Sequence, residues 1–578
     1  MRLILHFLKP YRLKFLLICL LLSVDVVGTL AIPTVAARVL NLGTAHASFS
    51  LLVEAGLQMS LVALVTGVAT TAAAALCAEL CTSVGRDIRC ALYAKSMRLS
   101  VYDFRHFGVA SVTTRTSSDV TTVQTLLTQA ILMVVPVPLM AVAALVMTFS
   151  VDVTAGWFLV ASIAVLMVVV GAILRSVSPL FTRLQKQLDA MTQVLLENLS
   201  GVRVVRAFNR QRHENGRLDA SFAAYAETAI KANKLFTNVD GFQYVVMNVF
   251  VIAVYWTSGA RIAVGELGIG DITALVEYAI MVLMYILMAQ FVFIMVPRAL
   301  ECASRIQEVL DYAPEIDDLP DAVDRPSPEE GVPTLRFSRV RFRYQDAQED
   351  ALTGIDLECW PGTTTAIIGG TGSGKSTIAS LIMRFNEVTQ GSLELDGVDV
   401  RHLTQRALRG RIGYVQQKAW LASGTIAENL RWERADATDD ELWHALEVAQ
   451  AADFVRGLPE GLDAPVAQGG SNFSGGQRQR LAIARALVAR SELYVFDDSF
   501  SALDFKTDAA LRAALAGETA EAAVLIIAQR VSTIRHADQI LVIDEGRPVG
   551  LGTHDELMAA CPVYREIVAS QTKQEVLS

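Results

Sequence analysis

Apolar residues dominate the first 300 positions in six stretches, at about 13–33, 53–76, 128–150, 154–176, 241–263 and 271–296. Each reaches the roughly 20 residues that a helix needs to cross the hydrocarbon core of a bilayer. The pattern predicts six transmembrane helices. The first stretch is too long for the apolar region of a signal peptide, and five more follow it, so it reads as a retained anchor. From about residue 334 short apolar runs alternate with helix-like segments and glycine-rich turns, the pattern of an α/β domain. Between the halves lies APEIDDLPDAVDRPSPEEGVP, residues 313–333. A stretch so rich in proline and acid buries little apolar surface and reads as a linker. The expected organisation is a six-span domain over 1–312 with long cytoplasmic helical loops, a linker over 313–333, and an α/β domain over 334–578.

Charge sets the orientation. Basic residues gather at the N-terminal end (Arg2, Lys9, Arg12, Lys14), between spans two and three (Arg86, Arg89, Lys95, Arg98) and between spans four and five (Arg203, Arg206, Arg210, Arg212). The other connections are short and nearly bare, with Arg38 and Arg261 as exceptions. By the positive-inside rule the N-terminus and both long loops are cytoplasmic, and six spans return the α/β half to the cytoplasm of a cell (inner or plasma) membrane protein. A sequon at Asn198-Leu199-Ser200 falls on the inner side, where it carries no meaning.

Composition narrows the classes further. The chain is 52% hydrophobic, and its 50 basic against 59 acidic residues leave a net charge of −9, which offers no nucleic-acid footprint. Its 7 cysteines are scattered, without the paired spacing of a disulfide framework or zinc site. Cys77 and Cys81, one turn apart in an apolar segment, read as packing residues.

Polar residues inside spans are costly and therefore informative. Glu277, beside Tyr278 and followed by Tyr285, Gln290, Phe291 and Phe293, is the first candidate for a cavity residue, and Asp25 the second. Either can equally serve as a partner to a neighbouring helix. Two stretches of the long loops, SVYDFRHFG (100–108) and GVRVVRAFNRQRHE (201–214), are suited to docking on a soluble domain.

The strongest signal is IIGGTGSGKSTI (367–378), in which an apolar strand meets a helix. Gly369, Gly374, Lys375 and Ser376 fit the phosphate-loop spacing. Glycines let backbone N–H groups close around phosphates, and the helix N-terminus adds positive potential. Lys375 is placed for the β and γ phosphates, and the Ser376 hydroxyl for Mg²⁺. SELYVFDDSFSALD (491–504) adds a buried parallel strand ending in paired carboxylates, with Asp497 placed for Mg²⁺ and Asp498 for the γ-phosphate and attacking water.

SNFSGGQRQRLAIARALVA (471–489) makes the pattern specific. With it, the chain resembles an exporter-type half-transporter of the ATP-binding cassette (ABC) family over its whole length: a six-span domain fused to a nucleotide-binding domain. The resemblance assigns Gly369, Gly370, Thr371, Gly372, Ser373, Gly374, Lys375, Ser376 and Thr377 to the Walker A loop. It also implies that Tyr344 stacks on adenine and that Gln417 touches Mg²⁺. Ser474, Gly475, Gly476 and Gln477 match the signature, Asp497 the Walker B aspartate, and SALD, ending at Asp504, the D-loop. ATP would lie between one chain's Walker A loop and the other chain's signature, so a second half-transporter is required.

Two departures fall in the hydrolysis machinery. The usual general-base Glu is Asp498, and the usual switch His is Gln529. A third lies at Gln468 and Gly469, which are neutral where exporters often carry charges. The first two affect only the composite site built on this chain's Walker motifs, while its signature is intact. That asymmetry is similar to the degenerate-site subunit of heterodimeric bacterial multidrug exporters, and implies a different partner carrying the Glu and the His. The expected function is ATP-coupled export of amphipathic or drug-like compounds. Lipid, peptide or siderophore cargo is the alternative within the fold, and an ATP-binding regulatory subunit the alternative of another class.

Overall fold

The six apolar stretches fold as helices that far outrun the bilayer. In the computed structural model, which describes residues 2–44, 48–263, 265–324, 331–345 and 347–577, they are α1 (Arg12–Thr44), α2 (Phe49–Ser96), α3 (Val109–Val151), α4 (Val153–Ser200), α5 (Gln211–Ala263) and α6 (Ile269–Asp311). All six are long and apolar enough to cross a membrane. Helices α2 and α4 each run for 48 residues, about 70 Å at 1.5 Å per residue, so the long basic loops are largely continuous extensions of the spans. Residues 325–330 of the acidic segment lie outside the described residues.

Local chemistry explains the breaks. Asp152 alone joins α3 to α4. Its carboxylate accepts from the Thr154 N–H at 2.8 Å, capping α4, and pairs with Arg261 of α5 at 2.7 Å. Asn41 near the end of α1 bonds Asp271 and the Gly270 N–H at the start of α6, at 3.0 and 2.8 Å. Gly270 is required there, because a Cβ would stand 2.1 Å from the Ala37 carbonyl oxygen. Val26, Leu30, Met140, Leu166, Tyr278 and Leu283 form the centre of the bundle. Helix α3 is interrupted by two π-helical turns, Arg115–Asp119 and Ala130–Val134. The first buries both of its charges. Arg305 of α6 grips Asp119 through two bonds of 2.9 and 2.8 Å, and Arg115 pairs with Glu308 at 2.9 Å while donating to the Arg305 carbonyl at 3.0 Å. Asp25 accepts a hydrogen bond from Thr70, and Glu277 is half-buried on α6.

The chain forms two compact units: Met1–Met97 with Val109–Tyr312, and Arg98–Gly108 with Ala313–Ser578. The short stretch between α2 and α3 therefore groups with the α/β unit. It is a helix, Val101–Phe107, with a Ser100–Asp103 capping box and a stop at Gly108, φ +76°. Arg98 pairs with Asp317 at 2.9 Å. The acidic segment read as a linker is fastened at several points. Ile316 is buried, buried Arg384 donates to the Asp317 carbonyl at 3.1 Å, and Asp318 accepts from the Gln405 N–H at 3.0 Å. The other stretch, 201–214, contains the helix Val202–Ala207 and exposes Val204 and Phe208.

Among the described residues the α/β unit has two main sheets and a short antiparallel pairing of Gly424–Thr425 with Pro465–Val466. Strands β1 (Leu335–Phe342), β2 (Leu352–Cys359) and β4 (Gln390–Leu395) pair antiparallel in the order β2–β1–β4, extended by Val398–Asp399. The larger sheet contains β3 (Thr364–Gly369), β5 (Ile412–Val415), β6 (Leu493–Asp497), β7 (Ala523–Ile527), β8 (Gln539–Asp544) and β9 (Arg547–Gly552), in the order β9–β8–β3–β7–β6–β5. Only β9 runs antiparallel. Every residue of β6 and β7 is buried, as expected of central parallel strands covered on both faces. Ligands of such sheets gather at the carboxyl ends of the strands, where Ile527 pairs with Asp497 on one side and with Ile367, two residues before Gly369, on the other.

Candidate nucleotide site

The phosphate loop leaves β3 and enters helix α7 (Lys375–Ile382) with glycines at both ends where a side chain has no room. A Cβ on Gly369 would lie 2.1 Å from the Ile543 carbonyl, and Gly374 has φ +94° with the Leu352 side chain 2.7 Å from a would-be Cβ. Gly370, Thr371, Gly372 and Ser373 complete the loop. Lys375 is buried, and its ammonium donates to the Gly369 and Gly370 carbonyls at 2.9 and 2.6 Å. Burial pulls its pKa down, partly opposed by Asp498 and Asp497. The cation thus curls over its own loop, held by main-chain oxygens that a phosphate can displace. Thr377 accepts or donates one bond at 3.1 Å with the Tyr344 hydroxyl, whose ring sits edge-on to Phe342.

Of the three oxygen-bearing side chains expected at the metal, Ser376 and Asp497 are in direct contact. The Ser376 hydroxyl donates to Asp497 at 3.2 Å. Burial pushes the Asp497 carboxyl up, and that bond opposes the shift only in part. Gln417 is not on Asp497. Its amide donates to Asp498 at 3.1 Å. The donor set, a hydroxyl and a carboxylate at the mouth of a phosphate loop with an amide nearby, is of the hard oxygen type that suits Mg²⁺.

Asp498 follows β6 in the left-handed backbone region, φ +48°, where aspartate is more readily accommodated than most residues. Its N–H donates to the Ile527 carbonyl at 2.8 Å, tying it to the end of β7. One carboxylate oxygen accepts from both Gln417, at 3.1 Å, and Gln529, at 2.9 Å. The two departures noted in the sequence are therefore bonded to each other. Gln529 sits just beyond β7, and its carbonyl accepts at 2.7 Å from Gln571, a residue the sequence reading did not single out.

The signature residues lie at the start of helix α8 (Gly475–Val488). Ser474 caps it, accepting from the Gln477 N–H at 3.3 Å while its own N–H donates to the Gln477 side chain at 2.9 Å. Ser474 and Gly475 are exposed, and a Cβ on Gly475 would meet open space. Gly476 approaches the Ala502 carbonyl. Asp504 caps the helix after the D-loop by accepting from the Thr507 N–H at 2.9 Å, which holds its carboxyl below the usual range.

A six-helix membrane bundle fused to an ATPase sheet, with a phosphate loop at one place and an exposed helix-capping serine motif at another, defines an ATP-driven membrane transporter. Residues 15–287 match the ABC transporter transmembrane region, and residues 352–501 match the ABC transporter domain. An uncharacterised ABC transporter ATP-binding protein of Mycobacterium tuberculosis is 37% identical over 572 residues, 98% of this chain and 97% of the relative. A protein named as a fatty acid ABC transporter ATP-binding/permease protein, also of M. tuberculosis, is 32% identical over 81% of this chain and 73% of its own length. A solved bacterial Atm1-family ABC exporter with ATP bound superposes with a TM-score of 0.81 at 25% identity, covering 98% of both chains. The chain belongs to the ABC transporter family, as an exporter-type half-transporter with its membrane and nucleotide-binding regions fused.

Proposed function

We propose that this chain is the weaker-site subunit of a heterodimeric ABC exporter that moves amphipathic or drug-like compounds out of the cytoplasm, across the cell membrane. The observation that carries the reading is the Asp498 carboxylate, one oxygen of which is already engaged by two amides, from Gln417 and Gln529. A general base must reach the attacking water within hydrogen-bond distance. Asp498 is one methylene shorter than glutamate, and Gln529 can carry neither charge nor proton. In this reading the Walker A residues 369–377 bind the phosphates and Tyr344 the adenine. Ser376, Asp497 and Gln417 hold Mg²⁺, which neutralises phosphate charge. Ser474, Gly475, Gly476 and Gln477, with Asp504, complete the partner's site. Asp498 and Gln529 hold ATP more than they hydrolyse it. The partner is a different half-transporter with Glu and His at these positions, and hydrolysis occurs mainly at the site using its base. The domain limits 1–312, 313–333 and 334–578, and a cytoplasmic nucleotide-binding domain, belong to the same proposal.

A lipid-like cargo is the second reading, favoured by the relative named as a fatty acid transporter. Inside-out vesicles holding the full transporter test both. ATP-dependent uptake that needs Lys375 and Ser474 is expected, with either a drug-like dye or a labelled fatty acid accumulating. Uptake abolished by removing the partner's Glu, but not by Asp498→Asn, is the expected asymmetry. ATP binding without uptake of any cargo would favour a regulator. Purification as two copies of this chain would overturn the heterodimer.

A further inference from the structure

A polar side chain of the last described helix, α9 (Pro562–Leu577), meets the loop that follows β7. Tyr564 is wholly buried, and its hydroxyl bonds His554 at 2.8 Å. Ile567 and Val568 pack on the same core. The next position on this i, i+3, i+4, i+7 stripe is not apolar but Gln571. Its amide is bidentate on main chain. The NH₂ donates to the Gln529 carbonyl at 2.7 Å, and the oxygen accepts from the Val531 N–H at 2.8 Å. Arg512 donates to the Ser532 carbonyl of the same segment at 3.1 Å. The loop that begins at Gln529 is thus held between a helix anchored far along the sequence and the end of β7. The same Gln529 turns its side chain onto Asp498 at 2.9 Å.

We propose that Gln571 is a positioning residue for ATP turnover: it fixes the Gln529 peptide so that the Gln529 amide meets Asp498, and so couples the C-terminal helix to the nucleotide site. The match is specific to a side-chain amide. An apolar residue on the stripe would cover the core equally well but would leave the Gln529 carbonyl and the Val531 N–H without these partners. A glutamate would keep the acceptor for Val531 and set a carboxylate against the Gln529 carbonyl. The proposal holds whether the site hydrolyses ATP or retains it, because both depend on where the Gln529 amide stands.

The test uses the full-length transporter in lipid nanodiscs, with ATP turnover, ATP KM and release of a fluorescent ATP analogue measured on Gln571→Ala, Gln529→Ala and the double variant. Gln571→Ala is expected to change turnover or analogue release by about three- to tenfold, the effect of losing one or two ordinary hydrogen bonds, while KM moves less than twofold. In the Gln529→Ala background the same change is expected to have no effect, because the two residues act as one unit. Gln571→Glu supplies the second arm. Its defect, relative to wild type at each pH, is expected to shrink as pH falls and the carboxyl regains a proton to donate. Equal effects of Gln571→Ala with and without Gln529, or a Gln571→Glu defect independent of pH, would overturn the proposal and leave Gln571 a packing residue.

Discussion

Asp498→Glu is the natural perturbation, and its size can be worked from the geometry. A positioned general base is worth roughly 10²–10⁴ in rate, or about 4 kcal/mol at the middle of that range. Two costs oppose it. Glutamate carries its carboxylate about 1.5 Å further from the backbone, so the Gln417 and Gln529 bonds at 3.1 and 2.9 Å cannot both survive without rearrangement. Losing one charge-assisted bond costs about 2 kcal/mol. The residue also sits at φ +48°, and placing a longer side chain in that region costs about 1 kcal/mol. About 1 kcal/mol remains, a gain near fivefold. Asp498→Glu with Gln529→His removes one amide from the carboxylate and supplies a ring N–H, so a gain of about 10² or more is expected. The assay is phosphate release by the reconstituted transporter with the partner's base neutralised, so that only this site contributes. A gain of fiftyfold or more from Asp498→Glu alone would refute the argument that Gln529 limits the site. No gain from the double variant would refute the assignment of Asp498 as the remnant base.

Three further outcomes follow from the same structure. Lys375 is held below its ordinary pKa by burial, so ATP affinity is expected to fall with rising pH sooner than an exposed lysine would cause, while the empty protein gains stability from this group over the same alkaline window. Titration with a fluorescent ATP analogue between pH 7 and 10 checks the first part, and Lys375→Arg should flatten it. Cys359 is fully buried and its thiol is pushed up to about 12, so at pH 8 its thiolate fraction is roughly 10³ below that of an ordinary exposed thiol. Maleimide should label exposed Cys90 at least that much faster, as read by mass spectrometry, and comparable rates would show that the smaller sheet opens readily. Arg305→Ala strands Asp119, whose side chain is 5% exposed. A loss of about 3 kcal/mol is expected in unfolding of the membrane region, and Asp119→Asn in the same background should recover part of it.

The spans were legible because apolar runs of bilayer length need no tertiary information. The phosphate loop was legible because its spacing is local. Long helical extensions were anticipated from the basic loops, but not their continuity through 48 residues. What escaped the sequence was every pairing across distance. Gln417 was expected at the metal, yet in the structure it meets Asp498, 81 residues away. Gln529 and Asp498 were each read as a substitution, and only the fold shows them bonded. Gln571 was hidden because a polar residue at the end of an apolar stripe looks like a helix leaving the core. The acidic segment looked unfastened because Ile316 and Pro333 are the buried apolar anchors among its described residues, and ties such as those of Asp317 and Asp318 run through main chain and a carboxylate.

The π turns at Arg115–Asp119 and Ala130–Val134 set the phase of α3. One added residue in a helix advances everything after it by about 100°. Two such insertions turn the remainder of α3 by more than half a revolution, relative to an unbroken helix of the same sequence. Removing a single residue at either place would leave a legal helix with its lipid face and its bundle face exchanged in part. In this helix the count of residues matters as much as their identity, and a one-residue deletion should harm the bundle more than most substitutions within it.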